Sequence, residues 1–428
     1  MNDLLPQGWS LKSCRELSHV ITKGTTPSSL GFDFQDSGIN FIKVESISSN
    51  GIIDAAKFSF INHEANLALK RSIICEGDIL ITIAGATVGK LAIVLDIHLP
   101  ANTNQALAII RANEGKVYRT YLLYWLQTNY IKRSIDAIKT VGAQPNLSLV
   151  QVGDFLVNLP PLSEQQKIAA ILTSVDEVIE KTQAQIDKLK DLKTAMMQEL
   201  LTKGIGHVEF KDSPVGSIPV GWEVEPLKNN SERVCVGFVG TCEKYYCDDG
   251  IPMVRTGNLK KGILDLSSVK YVTREFHELQ KKSQLKEGDI LIARHGNHGQ
   301  ACLVPASLKE ANCLNVVIIK VDLAKYLPEF LKYVFNSDFM IHSFDAKSEG
   351  STQKVISTTE IANTLFPKPS IKEQTTITNV LKAIDTKLNL TTDRIHLLNA
   401  TKKALMQDLL TGKVRVKTEQ PDTTLTAS

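Results

Sequence analysis

No apolar run in this chain is long enough to cross a membrane. The longest lies between Asp78 and Lys90 and covers eleven residues, about half of what a spanning helix needs. The opening MNDLLPQGWS has no charged segment followed by an apolar core, so no signal peptide is expected. Cysteine is scarce: seven in 428 residues, odd in number and scattered. That excludes a disulfide framework and points to a reducing, cytoplasmic setting. Net charge is nearly absent as well. There are 49 basic and 46 acidic residues, +3 overall, which excludes a polybasic, histone-like protein. Residues 1–160 hold 14 basic against 13 acidic side chains, and residues 206–370 hold 20 against 20, so charge alone does not suggest DNA.

Catalytic and metal-binding patterns are also lacking. GATVGKL at 85–91 is one residue short of a phosphate-binding loop and has Leu where a metal-binding hydroxyl belongs. The matching GNHGQ at 296–300 has no Lys, so both read as turns after a strand. His295, His298 and Cys302 do not complete a tetrahedral zinc set, and Cys242 and Cys247 have neither the usual spacing nor a second pair. No metal ligand is assigned. Adenine methyltransferases carry an Asn/Asp-Pro-Pro-aromatic motif, but the one Pro-Pro here, Pro160–Pro161, follows Leu159. There is no G-x-S-x-G and no G-x-G-x-x-G after a strand. A nuclease-like E-x-K appears only as Glu209-Phe210-Lys211, in a linker. No catalytic residue is assigned, which suits a recognition or assembly part.

What the chain does contain is a long repeat. KTAMMQELLTKG at 193–204 returns as KKALMQDLLTGK at 402–413, EGDILI at 76–81 returns at 287–292, and PQGW at 6–9 returns as PVGW at 219–222. GIID at 51 returns as GILD at 262. The order is kept and the shift drifts only from 209 to 213. Such a period is a duplicated unit, not a solenoid repeat. With 43% apolar and 22% charged residues, each copy has the composition of an ordinary folded domain. The polar end, residues 416–428, reads as a disordered tail.

Each copy has a globular part and a helical part. GDILITIAG and GDILIAR read as strands; YRTYLLYWLQ and YLPEFLKYVFN read as amphipathic helices. The globular parts, 1–160 and 206–370, are therefore expected to be α/β or α+β. Residues 163–203 contain no Gly and no Pro. Ser163 and Gln166 suggest a capping box after the Pro160–Pro161 stop. The apolar seam is Ile168, Leu172, Val175, Ile179, Thr182, Ile186 and Leu189, then Lys193, Met196 and Leu200. The second copy reads Ile377, Leu381, Ile384, Leu388, Thr391, Ile395 and Leu398, then Lys402, Leu405 and Leu409. Alternating steps of four and three are the heptad signature of a paired coiled coil. At roughly 1.5 Å per residue each helix, 161–205 and 371–415, would run about 60 Å. A Thr and a Lys interrupt both seams at matching places.

Polar loops are the remaining candidates for function. Arg, Lys, Asn and Gln can read base edges, and Lys, Ser and Thr can hold phosphates. In the first copy the candidates are Lys23, Thr25, Thr26, Lys43, Thr87, Lys90, Asn104, Gln144 and Asn146. In the second they are Arg255, Asn258, Arg294, His295, Asn297, Gln300, Gln353 and Lys354. They lie on or beside loops 23–27, 84–90, 102–105 and 140–146, and 255–258, 294–300, 312–315 and 351–354.

LPPLSEQQKIAAILTSVDEVIE, followed by the heptad helix and KTAMMQELLTKG, closely resembles the specificity subunit of type I restriction-modification enzymes. KPSIKEQTTITNVLKAIDTKL to KKALMQDLLTGK matches the same pattern less faithfully at its start. KGTTP at Lys23, both EGDILI strings and GAQPNLS at Gly142 resemble the family's recognition-domain motifs; GFVGTCEKYY replaces the KGTTP type of loop in the second copy. The resemblance covers about residues 1–415. It implies two target recognition domains, each reading one half of a split, asymmetric DNA site. It also implies that the two helices pair antiparallel and set the gap between the halves. Double-stranded DNA and two modification subunits are the implied partners, with two ATP-driven restriction subunits as optional further ones. S-adenosylmethionine, ATP and magnesium then belong to those partner subunits, not to this chain. The residues by themselves leave two other readings open: a non-catalytic coiled-coil scaffold joining two ligand-binding domains, and a divergent nucleic-acid enzyme.

Overall fold

The computed structural model describes residues 5–48, 50–139, 146–260, 262–294, 300–347 and 356–417. The chain divides into two compact units. Unit 1 runs to Thr182 and resumes at Arg394; unit 2 is Gln183–Asp393. Both divisions fall inside the long helices, Leu162–Lys203 and Ile371–Thr411, so each unit owns half of each helix. Among the described residues no helix is long and apolar enough to cross a membrane.

In unit 1 the strands Ser18–Lys23, Leu107–Ala112, Ile79–Thr82 and Leu91–Ile93 form an antiparallel sheet in that order. Its side chains alternate between two cores, as the period of two requires. Ile79, Ile81, Ala108 and Ile110 face a core shared with the helix Arg119–Leu126 and the long helices. Leu80, Leu107 and Ile109 face a second core with Ile42, Ile74 and Ala101. Burial on both faces explains why the EGDILI strand reads as a continuous apolar run and not an alternating one. A second sheet, in the order Ser59–Ile61, Ile39–Ile42, Ala101–Thr103, Ile73–Ile74, covers that side; its Ile39–Ile42 and Ala101–Thr103 strands are parallel.

Unit 2 repeats the plan. Ser231–Val236, Val316–Val321, Ile290–Ala293 and Ala301–Leu303 form the main sheet. The second sheet runs Tyr246–Cys247, Lys270–Val272, Ile251–Arg255, Asn312–Leu314, and its last two strands are parallel, as Ile39–Ile42 and Ala101–Thr103 are in unit 1. Ile290, Ile292, Val317 and Ile319 face one core, and Leu291, Val316 and Ile318 the other.

The repeated strings are fold-holding devices. In EGD, Gly77 has φ +80° and Gly288 φ +81°, a left-handed conformation that costs glycine least. The following aspartate is buried in both copies. Asp78 accepts the Cys75 N–H at 2.8 Å and both arms of Arg111 at 2.8 and 2.7 Å. Asp289 accepts the Lys286 N–H at 2.8 Å and the Lys320 ammonium at 3.0 Å. In PQGW and PVGW the tryptophan is the anchor: the Trp9 indole donates to Glu164 at 3.1 Å, and the Trp222 indole to Glu373 at 3.0 Å.

The long helices start on side chains that point into the domains. Gln165 accepts the Tyr118 N–H at 2.7 Å and donates to Pro160 O at 2.8 Å; Gln374 does the same with Leu327 N–H at 2.8 Å and Pro369 O at 2.9 Å. The expected Ser163 and Gln166 pair lies exposed, and the Glu-Gln pair beside it carries the anchoring contacts. Arg415, just past the second helix, grips Glu164 with two bonds of 2.8 Å. His207, just past the first, meets Glu373 at 2.8 Å.

Within unit 1, Ile168, Ala169 and Leu172 of the first helix share a core with Leu409 and Leu410 of the second. Within unit 2, Met197, Leu200 and Leu201 share one with Ile377 and Leu381. The start of each helix thus packs with the end of the other, an antiparallel arrangement. Ile168, Leu172, Thr182, Ile186, Ile377, Leu381 and Thr391 are buried; Val175, Ile179, Leu189, Ile384, Leu388, Ile395 and Leu398 are half-buried. The lysines that interrupt the seams have a reason. Lys402 pairs with Asp176 at 2.6 Å, where the Tyr124 hydroxyl also donates at 2.7 Å. Lys193 and Tyr333 repeat this on Asp385 at 2.6 and 2.7 Å. The Thr182 and Thr391 hydroxyls donate to their own helix, to Val178 O at 2.6 Å and Lys387 O at 2.7 Å, so neither is left unsatisfied in a buried place.

Candidate nucleic-acid interface

Strand register collects the candidate residues of unit 1 at one end of the main sheet. Lys23 pairs with Ala108 and Ile81 pairs with Ala108 from the other side. In the second sheet Ile42 pairs with Thr103, which brings Lys43 beside Asn104. Leu147 N–H donates to Ile83 O at 2.8 Å, and Ala84 bridges Asn146. The loops after residues 23, 42, 83 and 103, and the segment at 146, therefore meet.

Gly24 fixes the close approach. A Cβ there would lie 2.2 Å from the carbonyl oxygens of Thr103 and Asn104. Thr25 N–H then donates to Thr103 O at 3.0 Å, and the Thr26 hydroxyl donates to the Gln105 side-chain oxygen. Arg71 reaches the Thr25 hydroxyl at 3.2 Å. The Lys43 ammonium sits 4.2 Å from the centre of the Phe34 ring, a cation–π contact. Lys23 and Asn146 are exposed, and Thr87 and Asn104 half-exposed. Lys90 differs: its ammonium donates to Ile47 O at 3.1 Å, which ties it to the framework. Gln144 lies outside the described residues.

The same end of unit 2 is built differently. Gly237 takes the place of Gly24; a Cβ would lie 2.6 Å from Cys313 O, and Phe238 N–H donates to that oxygen at 2.9 Å. Phe238 and Tyr245 then pack on Phe276, with ring centres 5.1 and 5.2 Å away. Arg255 caps a turn as Lys43 does, its N–H donating to Asn258 Oδ1 at 2.9 Å. Its Nε is buried without a hydrogen-bond partner among the described residues. Asn258 is itself buried, and its amide donates to Asp265 O at 3.0 Å, so it shapes the turn and offers nothing to solvent. Tyr246 nearby has its phenol pushed up to about 12, chiefly by burial and by Cys242. Arg294 closes the main strand with a contact of 3.4 Å to Ile356 O, and Gln300 lies next to it along the strand pairing, its O accepting Ala293 N–H at 3.2 Å. His295, Asn297, Gln353 and Lys354 lie outside the described residues, as does His298. Cys302 is buried and donates to Ile263 O at 3.2 Å; burial pushes its thiol up to about 11.

Sequence does not single out Arg71, whereas Gln105 closes the polar loop 102–105 and Phe238 and Tyr245 lie in GFVGTCEKYY, the segment that replaces KGTTP. Gln105 and Arg71 join the Thr25–Thr26 cluster, and Phe238 and Tyr245 hold the equivalent place in unit 2. Asn102 and Asn312, which sequence places in polar loops, are fully buried: Asn102 donates to Asn66 at 2.9 Å, and Asn312 to Ser283 at 2.7 Å. The cluster in unit 1 offers hydroxyl, amide and guanidinium groups, the donors and acceptors that suit base edges and phosphates.

The type I restriction modification DNA specificity domain family matches residues 6–191 and 236–400. A putative type I restriction enzyme MjaX specificity subunit of Methanocaldococcus jannaschii is 27% identical over 97% of this chain and 95% of its own length. The type I restriction enzyme EcoKI specificity subunit of Escherichia coli is 22% identical over 87% of this chain and 81% of its own. In fold, the chain is similar to the type I restriction-modification S subunit from M. genitalium, with TM-score 0.59 and 11% identity over 96% of this chain and 97% of that one. Two matched segments on two equivalent frames cover most of the sequence, and the chain belongs to the type I restriction-modification DNA specificity family.

Proposed function

We infer that this chain is the non-catalytic recognition subunit of a type I restriction-modification enzyme, and that each unit reads one half of a split DNA site. The observation that carries this reading is the pair of equivalent sheet ends with different chemistry. One frame presents Thr25, Thr26 and Gln105; the other presents Phe238, Tyr245 and Arg255. Two unlike reading ends call for an asymmetric site. The continuous helices Leu162–Lys203 and Ile371–Thr411 set the gap, because spacing in a protein fixes spacing along a duplex. Two modification subunits dock on the helices and domains, and restriction subunits join them. Those partners, working in the cytoplasm, bind S-adenosylmethionine, ATP and magnesium and do the chemistry. The near-neutral domains leave much of the phosphate clamp to the modification subunits.

Methylation mapping in cells that carry or lack this gene tests the reading. The expected result is one two-part, asymmetric adenine-methylated sequence that vanishes with the gene. A scaffold without DNA specificity would leave the methylation map unchanged.

A further inference from the structure

Three residues ahead of the repeated EGD, both units place a 3-10 turn, Lys70–Ser72 in unit 1 and Lys281–Ser283 in unit 2. Each turn presents two adjacent cations, Lys70 with Arg71 and Lys281 with Lys282, all exposed. At several other matching places the recurring cations have a partner inside their own unit. Arg111 and Lys320 hold Asp78 and Asp289. Lys402 and Lys193 hold Asp176 and Asp385. Lys116 and Lys325 donate to the carbonyls of Glu16 and Asn229 at 3.2 and 2.8 Å. The turn cations have no such role. Among the described residues they make no ion pair, and their one side-chain hydrogen bond is Arg71 to Thr25.

The turns are nevertheless held in place by buried groups. Asn102 Nδ2 donates to Leu69 O at 3.3 Å; Asn312 Nδ2 donates to Gln280 O at 3.3 Å and to the Ser283 hydroxyl at 2.7 Å. Ile73 pairs with Asn102, and Gln284 bridges Asn312. That register carries each turn alongside residues 103–104 or 313–314, at the reading end of its unit. Apart from the Arg71–Thr25 bond, these exposed and firmly seated cations have no side-chain partner among the described residues of their own unit.

The two reading ends differ in kind, yet the cation pair is the same in both. A partner whose chemistry is the same at both halves fits that pattern: the sugar–phosphate backbone, which positions a protein but carries no sequence. We propose that Lys70–Arg71 and Lys281–Lys282 are phosphate clamps, one in each domain, that seat the duplex while the neighbouring loops read it. This rests on the reading of the chain as a DNA-recognition subunit.

The test uses the full chain assembled with its modification subunits. Affinity is measured against salt concentration, on a duplex carrying the mapped site and on an unrelated duplex. In Lys70→Gln/Arg71→Gln and in Lys281→Gln/Lys282→Gln the slope of log affinity against log salt should become shallower by roughly 0.9 for each phosphate no longer neutralised. Both duplexes should weaken alike, and the methylated sequence should stay the same. Lys281→Arg/Lys282→Arg should keep the slope, and so should Lys12→Gln, whose parent lysine is already paired with Glu16. An unchanged slope in the neutral variants would overturn the clamp, and so would an altered base preference, which would make these residues readers. Wild-type complex without salt-dependent duplex binding would overturn the functional reading itself, a result distinct from either.

Discussion

In unit 1 the chain that leaves the first strand of the main sheet is Gly24-Thr25-Thr26; in unit 2 it is Gly237-Phe238-Val239. Each glycine presses against the equivalent neighbouring strand of its own unit, Gly24 at Thr103 and Gly237 at Cys313. Beyond them, unit 1 builds a hydroxyl and amide cluster from Thr25, Thr26 and Gln105, whereas unit 2 packs aromatic rings edge-on and tilted against Phe276. The framework below shows the opposite behaviour. The buried aspartate, the indole–carboxylate anchor and the tyrosine–aspartate–lysine group recur with nearly the same distances. Buried polar groups tolerate little change, because losing one partner leaves the other desolvated and unpaired. Exposed loops carry no such penalty and are free to differ. Divergence between two copies of one fold therefore marks where each copy does its own work.

The anchor of the long helices offers the largest contrast. Glu164 holds a permanent cation, Arg415, as well as Trp9. Glu373 instead receives His207, the Ile205 N–H and Trp222. Glu164→Ala should destabilise unit 1 by ~3 kcal/mol, since the Trp9 indole and the half-exposed Arg415 together lose three hydrogen bonds to one buried carboxylate. Glu373→Ala should cost unit 2 about 2 kcal/mol, the scale of orphaned hydrogen-bond donors. Denaturant-dependent hydrogen exchange, resolved by unit, measures both; equal destabilisation would mean that Arg415 adds nothing over His207.

A smaller effect is expected at the buried aspartates. Arg111 meets Asp78 with two bonds, while Lys320 offers Asp289 a single ammonium. Arg111→Lys converts unit 1 to the arrangement of unit 2 and should cost ~1 kcal/mol, because the ammonium cannot reproduce the planar two-pronged fit. Thermal melting of the variant checks this, and an unchanged midpoint would show the two arrangements to be equivalent.

Much of the framework is legible in the sequence because it is local and repeated. EGDILI, PQGW and the heptad seam each join a strong pattern to a fixed contact, and the lysine breaks at 193 and 402 stand in register before their partners are known. The second sheet is not legible. Its strands have two to five residues and exist through pairing with distant segments, such as Ile39–Ile42 with Ala101–Thr103. The same distance effect misplaces polar residues. Asn102, Asn258 and Asn312 have loop-like composition around them, yet long-range packing buries them. Arg71 and Lys282 could have been found by aligning the copies through the KRS and KKS that precede EGD. Phe238 and Tyr245 lie in GFVGTCEKYY, the segment that replaces KGTTP in the second copy, so their place is legible although their packing on Phe276 is not.

The proposed function requires each unit to be a self-contained reader. Exchanging residues 1–160 for those of a relative that keeps the tryptophan at position 9, and so the Glu164 anchor, tests this directly. Methylation mapping of the exchanged subunit should show one half of the recognised sequence replaced, with the other half and the gap unchanged. A change in both halves, or in the gap alone, would contradict the account.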